Sequence, residues 1–464
     1  MGSVANHYSV IVVGAGAVGL ATALNLARAN VQVLIVERGK GIDQSPRATS
    51  YQPCVMAEME ETGILDDVRQ RSMVNDVLSL WVGRGPQKTC VASVTKREGG
   101  QTYTSGINCG QPILAETIMD HLLTRYTTAE VRFSQRVDAL AQDASTVKVT
   151  CVDDQGHTTI YTCDWLVGAD GAGSTVRRLL DIDFEGFSWP KEDFVATNLR
   201  YPFRDYGFSS ANFVMDTEHW GVVTVIDNTG LWRCAFGVRP GLTNDQIRAE
   251  LDDHYKHILP GWPGNGYELV DLNKYKPHQR CAATFRKGRC LLAGDAAHSN
   301  NPLGGLGLTS GLLDAGPLGR ALAAVIIKKA PEALLDVWAQ ARRHKWLTYT
   351  NPFSIENKRM VQRAGYSEDP LGIWVMDDVA REHHMEQWIA TATEAKREED
   401  EKLFEQFKDP EAQLASRMKQ WSITMHPLWM AEYEDDAVVK KRLSLRPPNE
   451  QLEPVEPLKP AATN

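Results

Sequence analysis

Several things are missing from this 464-residue chain, and each absence narrows what it can be. There is no basic surplus. Fifty lysines and arginines face 59 acids, for a formal charge of −9, so neither a nucleic acid nor an anionic membrane is an expected partner. The eight cysteines, Cys54, Cys90, Cys109, Cys151, Cys163, Cys234, Cys281 and Cys290, contain no CxxC pair and no metal-type grouping, so no metal is expected. Reduced thiols in a cytoplasmic protein are the economical expectation. The opening MGSVANHYSV lacks the basic and apolar regions of a signal peptide. The late apolar stretch from Leu318 to Ile327 is broken by Arg320 and ends at Lys328 and Lys329, too short for a membrane anchor. No internal repeat is present. What remains, 43% apolar and 23% charged residues, suits a soluble protein long enough for two or three packed substructures.

The organising stretch runs from Tyr8 to Glu37: an apolar strand, a glycine loop, an amphipathic helix, and a second apolar strand ending in an acid. Gly14, Gly16 and Gly19 fit G-x-G-x-x-G, which allows a tight turn, close approach of the backbone to a pyrophosphate, and close helix packing on the sheet. The helix N-terminus offers free N–H groups to phosphate. Glu37, with Arg38 beside it, stands at the second strand's tip, where a carboxylate can accept from both ribose hydroxyls of an adenosine and repel a 2′-phosphate.

A turn-rich loop follows, carrying Arg47 behind Pro46; an arginine delivered there could hold a phosphate or a flavin ring. Helical spacing from Cys54 to Val68 presents Val55, Met56, Met59, Ile64 and Leu65 as an apolar face. Gln111 opens a helix entered through Pro112, with Leu114, Ile118, Leu122 and Leu123 expected inward. A hairpin turning near Gly156 leads to a strand ending at Val167 and to a second glycine loop, GADGAGSTVRR. Its spacing does not repeat the first fingerprint. Asp170 there can receive a hydroxyl or order the loop, and Arg177 supplies positive charge.

Residues 192 to 240 alternate as strands, two of them joined as a hairpin through Asn228, Thr229 and Gly230. A sheet placed between nucleotide-binding segments usually roofs a ligand cavity. Asn198 and Arg200 share one face, and Arg233 interrupts an apolar strand, so both arginines are candidates for a catalytic role beside the alternative of an edge-strand arginine in solvent. The third signature, RCLLAGDAAHSNNPLGGLGLTSGLLDAGPLGRAL, is a buried strand, Gly294–Asp295, a turn with Pro302, glycines at 304, 305 and 307, and a long helix. Asp295 is placed to accept from a sugar-like hydroxyl, and the helix start suits an anionic ring or phosphate. His298 reads as ordering the loop rather than as a general base. Beyond residue 346 the composition turns charged, with a solvated helix face over 395–408 and a proline-rich tail.

Over about residues 8 to 330 these three ordered motifs resemble the group A flavoprotein monooxygenases, of which para-hydroxybenzoate hydroxylase is the best-known type. The resemblance implies an α/β fold: a Rossmann-like FAD-binding domain over 1–185 and 275–345, interleaved with a β-sheet substrate domain over 186–274. A C-terminal helical region over 346–445 and a loose tail over 446–464 complete it. It assigns Gly14, Gly16, Gly19, Glu37 and Arg38 to the ADP half of FAD, and Asp170, Gly171 and Arg177 to the second motif along the FAD path. Gly294 and Asp295 meet the ribityl chain. Pro302, Gly305, Gly307 and Leu308 lie along the isoalloxazine. Arg47 and Gln111 also meet the cofactor, and Val137 borders the adenine. Thr309 departs from the family, standing where many members carry Asn.

As that family works, NAD(P)H, a transient cosubstrate, reduces the flavin, O₂ adds at C4a, and the resulting hydroperoxyflavin hydroxylates a phenolic or polyketide-like aromatic substrate. A fungal secondary-metabolism member and a homodimer are both compatible with the sequence. The same fold also hosts FAD-dependent epoxidases, Baeyer–Villiger-type oxygenases and dehydrogenases, and a non-catalytic flavin-binding scaffold is the alternative outside enzymology.

Overall fold

The computed structural model describes residues 4–45, 47–83, 85, 88–95, 105–262 and 266–362. Residues 1–424 group into one unit and 425–464 into a second, which falls wholly outside the described residues, as do the expected helix face over 395–408 and the tail. An eight-stranded sheet forms the base of the first unit. Its central strands run in the order Cys290–Leu292, Thr158–Gly168, Val4–Val13, Val33–Val36 and Ala129–Arg132, all parallel. Their residues read as nearly continuous apolar runs because helices cover the sheet.

The helices, in chain order, are α1 (Ala17–Arg28), α2 (Met56–Thr62), α3 (Leu65–Gln70), α4 (Gln111–Arg125), α5 (Thr175–Leu179), α6 (Asn244–Ile258), α7 (Leu306–Ile327), α8 (Ala333–Lys345) and α9 (Asn351–Val361). Among the described residues α7 is the one helix long and apolar enough to cross a membrane, and most of it is buried against the rest of the fold. Two local expectations need correcting. The helix expected from Cys54 to Val68 is broken, because Gly63 adopts φ +75° and caps α2 before α3 begins. Leu123 is 48% exposed, whereas Leu114, Ile118 and Leu122 are buried. One step beyond Leu122 on a helix is a turn of about 100°, enough to carry Leu123 out of the buried face.

A seven-stranded sheet stands above this base, in the order Glu268–Tyr275, Asp193–Arg200, Leu231–Val238, Gly221–Val225, Ala211–Val214, Val77–Val82, Thr89–Thr95. It draws on more chain than 186–274, since its last two strands come from the first part of the sequence. One face carries Val195, Leu199, Trp232, Cys234 and Phe236 and packs on Ile247, Leu251, Tyr255 and Ile258 of α6. Burying these side chains at about 2 kcal/mol each fixes which face looks away from α6. A second cluster ties Phe194, Phe213 and Leu80 of the sheet to Leu303, just after Pro302, and to Val361 of α9.

Candidate cofactor and substrate site

Four adjacent parallel strands end side by side, and each ends in one of the sequence motifs. Val13–Gly14, Gly168–Asp170, Leu292–Gly294 and Val36–Glu37 lie next to one another, stitched by backbone bonds from Ala169 N to Val13 O at 2.8 Å, Ala293 N to Gly168 O at 3.0 Å and Gly14 N to Val36 O at 2.8 Å. Ligands of open α/β sheets bind at such carboxyl ends, where the strand order switches.

The glycines of the first loop divide their work. Gly14 has φ +108°, and a methyl there would meet the backbone of Ala169; a methyl on Gly19 would strike Gly14 O. Those two are demanded by the protein's own packing. Gly16, the N-cap of α1, has nothing within 4 Å of where a Cβ would stand, so the fold itself does not require it to be bare. A pyrophosphate laid on the helix N-terminus would require it. Glu37 accepts from Ala15 N at 2.9 Å through Oε2 and from Gly39 N at 2.7 Å through Oε1. Each oxygen keeps a lone pair for a ribose hydroxyl. Gln135 N donates to Glu37 O at 2.8 Å, which brings the buried Val137 beside the same strand tip, while Arg38 is exposed.

In the second loop Asp170 is occupied: it accepts from Ser174 Oγ at 2.5 Å and from Thr175 N at 2.6 Å, and so orders the start of α5. Gly171 adopts φ +79° beside it, with open space around its Cα. Arg177 is buried and ties loops together, donating to Ala172 O and to Ala296 O at 2.8 Å each, with its guanidinium 3.7 Å over the Phe184 ring. Burial pushes its pKa down to about 10. The third loop behaves differently. Asp295 has no hydrogen-bond or ion-pair partner among the described residues; it is open to solvent at the strand end, yet enclosure by surrounding protein raises its carboxyl above the usual value. Pro302 and the glycines lead into α7, with Gly305 at φ +67° and Gly307 and Leu308 half-buried in the first turn. Thr309, the family departure, spends its hydroxyl on Gly305 O at 2.8 Å. Gln52, which the sequence did not single out, holds Gly304 O at 2.6 Å.

The loop around Arg47 closes one side. Arg47 is exposed and paired with Asp43 at 2.7 Å, and it lies close enough to Asp295 to act on it electrostatically. Gln111 N donates to Ala48 O at 3.1 Å, so the start of α4 is strapped to this loop. Above it sits Arg233, opposite Asn198 and Thr224 in the roof sheet. Its Nε donates to Asn198 Oδ1 at 2.8 Å and its Nη1 donates to Arg47 O. It is 7% exposed, with no carboxylate in ion-pair contact among the described residues, and burial pushes its pKa down to about 10. Arg200 is not brought to this group. It is exposed and bound to Thr229 O at 2.8 Å at the hairpin end. Two residues along a strand is about 7 Å, which carries it past the site.

Three glycine-bearing turns thus meet at neighbouring strand ends, under a sheet bearing a buried arginine with no ion-pair partner among the described residues. Residues 7–348 match the family described as FAD binding domain. The chain is 39% identical over 350 residues to para-nitrophenol 4-monooxygenase of Pseudomonas sp. (strain WBC-3), covering 75% of this chain and 86% of the relative. It is 35% identical to 6-hydroxy-3-succinoylpyridine 3-monooxygenase HspB of Pseudomonas putida, covering 75% and 88%. The crystal structure of p-nitrophenol 4-monooxygenase PnpA from Pseudomonas putida DLL-E4 superposes with a TM-score of 0.75 at 34% identity, covering 87% of this chain and all of that one. The chain therefore belongs to the group A FAD-dependent aromatic monooxygenases, acting with FAD and O₂ on an aromatic substrate.

Proposed function

We propose that the substrate is a small phenol held as its phenolate by Arg233, with NAD(P)H as the reductant, and that the turns described above hold FAD through Glu37, Asp295 and the N-termini of α1 and α7. The observation that carries this is a buried guanidinium with no carboxylate in ion-pair contact among the described residues, Asp271 acting on it only from a distance, on the roof face that meets the Arg47 loop. A buried, unpaired cation is costly, and an anionic ligand repays the cost. Bound FAD, once reduced, supplies the oxygen-transfer chemistry. The chain's part is to exclude water, to orient the ring and to keep it ionised. A phenol of pKa near 10 needs about 4 kcal/mol of stabilisation to be mostly phenolate at neutral pH. The buried apolar cluster of Phe194, Phe213, Leu80 and Leu303 that joins the roof sheet to the third turn would make a cation there worth more than it would be in water. The resemblance to para-nitrophenol and hydroxypyridine oxygenases makes small ring substrates of that kind the first probes. Eight cysteines that form no disulfide support a cytoplasmic setting.

The test is steady-state oxidation of para-nitrophenol and related phenols by variants at the two arginines. For Arg233→Met, kcat/KM should fall about 10- to 100-fold, the worth of a charge-assisted hydrogen bond, with FAD still bound. Arg200→Met should leave it unchanged. Equal turnover and equal substrate affinity in Arg233→Met would contradict the assignment.

A further inference from the structure

We infer that Asp314, in the middle of α7, is a positioning residue for the third cofactor turn although it lies too deep to meet any ligand. The inference rests on FAD being the group that the turns hold.

Asp314 is wholly buried, and three donors, two from the third turn and one from α8, converge on its carboxylate. Oδ2 accepts from the backbone N–H of Gly294 at 3.0 Å and from His298 Nε2 at 2.7 Å; Oδ1 accepts from Arg342 Nε of α8 at 2.6 Å. Gly294 stands at φ +59°, a conformation that glycine tolerates but does not select. Its N–H bond to Asp314 selects it. The next residue, Asp295, has no hydrogen-bond or ion-pair partner among the described residues, so the direction in which it faces the cofactor follows from the backbone that Asp314 holds.

The packing around the turn leaves Gly294 little room to move. A methyl on Gly294 would stand 2.9 Å from Val18 Cγ2 of α1, and one on Gly311, a turn before Asp314, would stand 2.6 Å from the same atom. Asp314's helix and the third turn thus both pack directly on Val18 of the helix that carries the first turn. A shift of Gly294 would disturb two cofactor contacts together. An apolar residue of the same size would fill the space as well, and replacing a buried ion pair in that way is often harmless to stability. What it would not do is fix one backbone N–H. Burial by itself would raise the Asp314 carboxyl; its charge interactions and hydrogen bonds with His298 and Arg342 outweigh that and hold it below its usual range, so it remains an acceptor for all three donors.

The experiment measures FAD affinity by flavin fluorescence, together with the visible spectrum of the bound flavin. Asp314→Asn keeps the shape but turns an N–H₂ group towards either Arg342 or Gly294, leaving a buried donor unmet. The dissociation constant for FAD should rise about 10- to 100-fold, with altered flavin absorption bands. Glu58→Gln is the control: Glu58 is another buried carboxylate, paired with Arg320 of the same helix at 2.9 Å but away from the turn. It should lower the melting temperature and leave FAD affinity unchanged. His298→Gln, which retains an N–H for Asp314, should bind FAD nearly as the parent does, and His298→Leu should lose affinity as Asp314→Asn does. Should Asp314→Asn not fold, the two His298 variants decide by the same criterion. Unchanged affinity in Asp314→Asn, or an equal loss in Glu58→Gln, would overturn the inference. A parent protein that takes up no FAD would overturn the cofactor assignment itself.

Discussion

Asp295, a proposed cofactor contact, lowers the stability of the fold at the level of one side chain. Enclosure raises its carboxyl above the value of 3.8 in the unfolded chain, so ionisation at neutral pH opposes folding. Asp295→Asn should therefore raise the melting temperature of the FAD-free protein slightly, while weakening FAD binding about 10-fold or more through loss of a charged acceptor. Melting curves with and without FAD check both signs. Arg233 is a second case. With its pKa brought down to about 10, it stays cationic at neutral pH, and its hold on a phenolate should weaken as pH rises through about 10, seen as a rising KM. The sequence singled out Arg233 and Arg200 alike because both are arginines on strands of one sheet. What separates them is register, Asn198 opposite Arg233 and Thr229 beside Arg200, and register is set by pairing across the sheet.

At the level of elements, the first loop separates residues kept for packing from those kept for a ligand. Gly19→Ala should cost several degrees of melting temperature, since the added methyl meets backbone. Gly16→Ala should leave the melting temperature of the FAD-free protein alone and still lower FAD affinity, because nothing in the protein occupies that space. Thermal melts beside FAD titrations distinguish the two. Strand, glycine loop, helix and acid were legible from Tyr8 to Glu37 because local spacing alone dictates that unit. The break at Gly63 was harder to see: its neighbours keep an apolar rhythm across it, and only the φ of +75° ends the helix. Asp170 was legible as one of two options, and the bonds to Ser174 and Thr175 show it ordering the loop.

For the whole molecule, the long-range ties were the part that sequence could not supply. Asp314 was present in the third signature as an acid in an otherwise apolar helix, a detectable signal, but its partners Gly294 and Arg342 lie 20 and 28 residues away on either side. The same tie gives a stability prediction. Asp314's folded pKa lies below 3.8, so the stability it contributes is complete above that value and is lost as pH falls through the folded pKa. The gap in melting temperature between parent and Asp314→Asn should be widest near neutrality and close below pH 3.8. The molecule as a whole is described as three turns gathered at the ends of neighbouring strands to grip one flavin beneath a sheet. Titration of the FAD-free protein with FAD, followed by quenching of flavin fluorescence, tests that most directly. Saturable binding of one FAD per chain, giving a yellow protein, is the expected result; a colourless protein that leaves the fluorescence unchanged would contradict the FAD assignment.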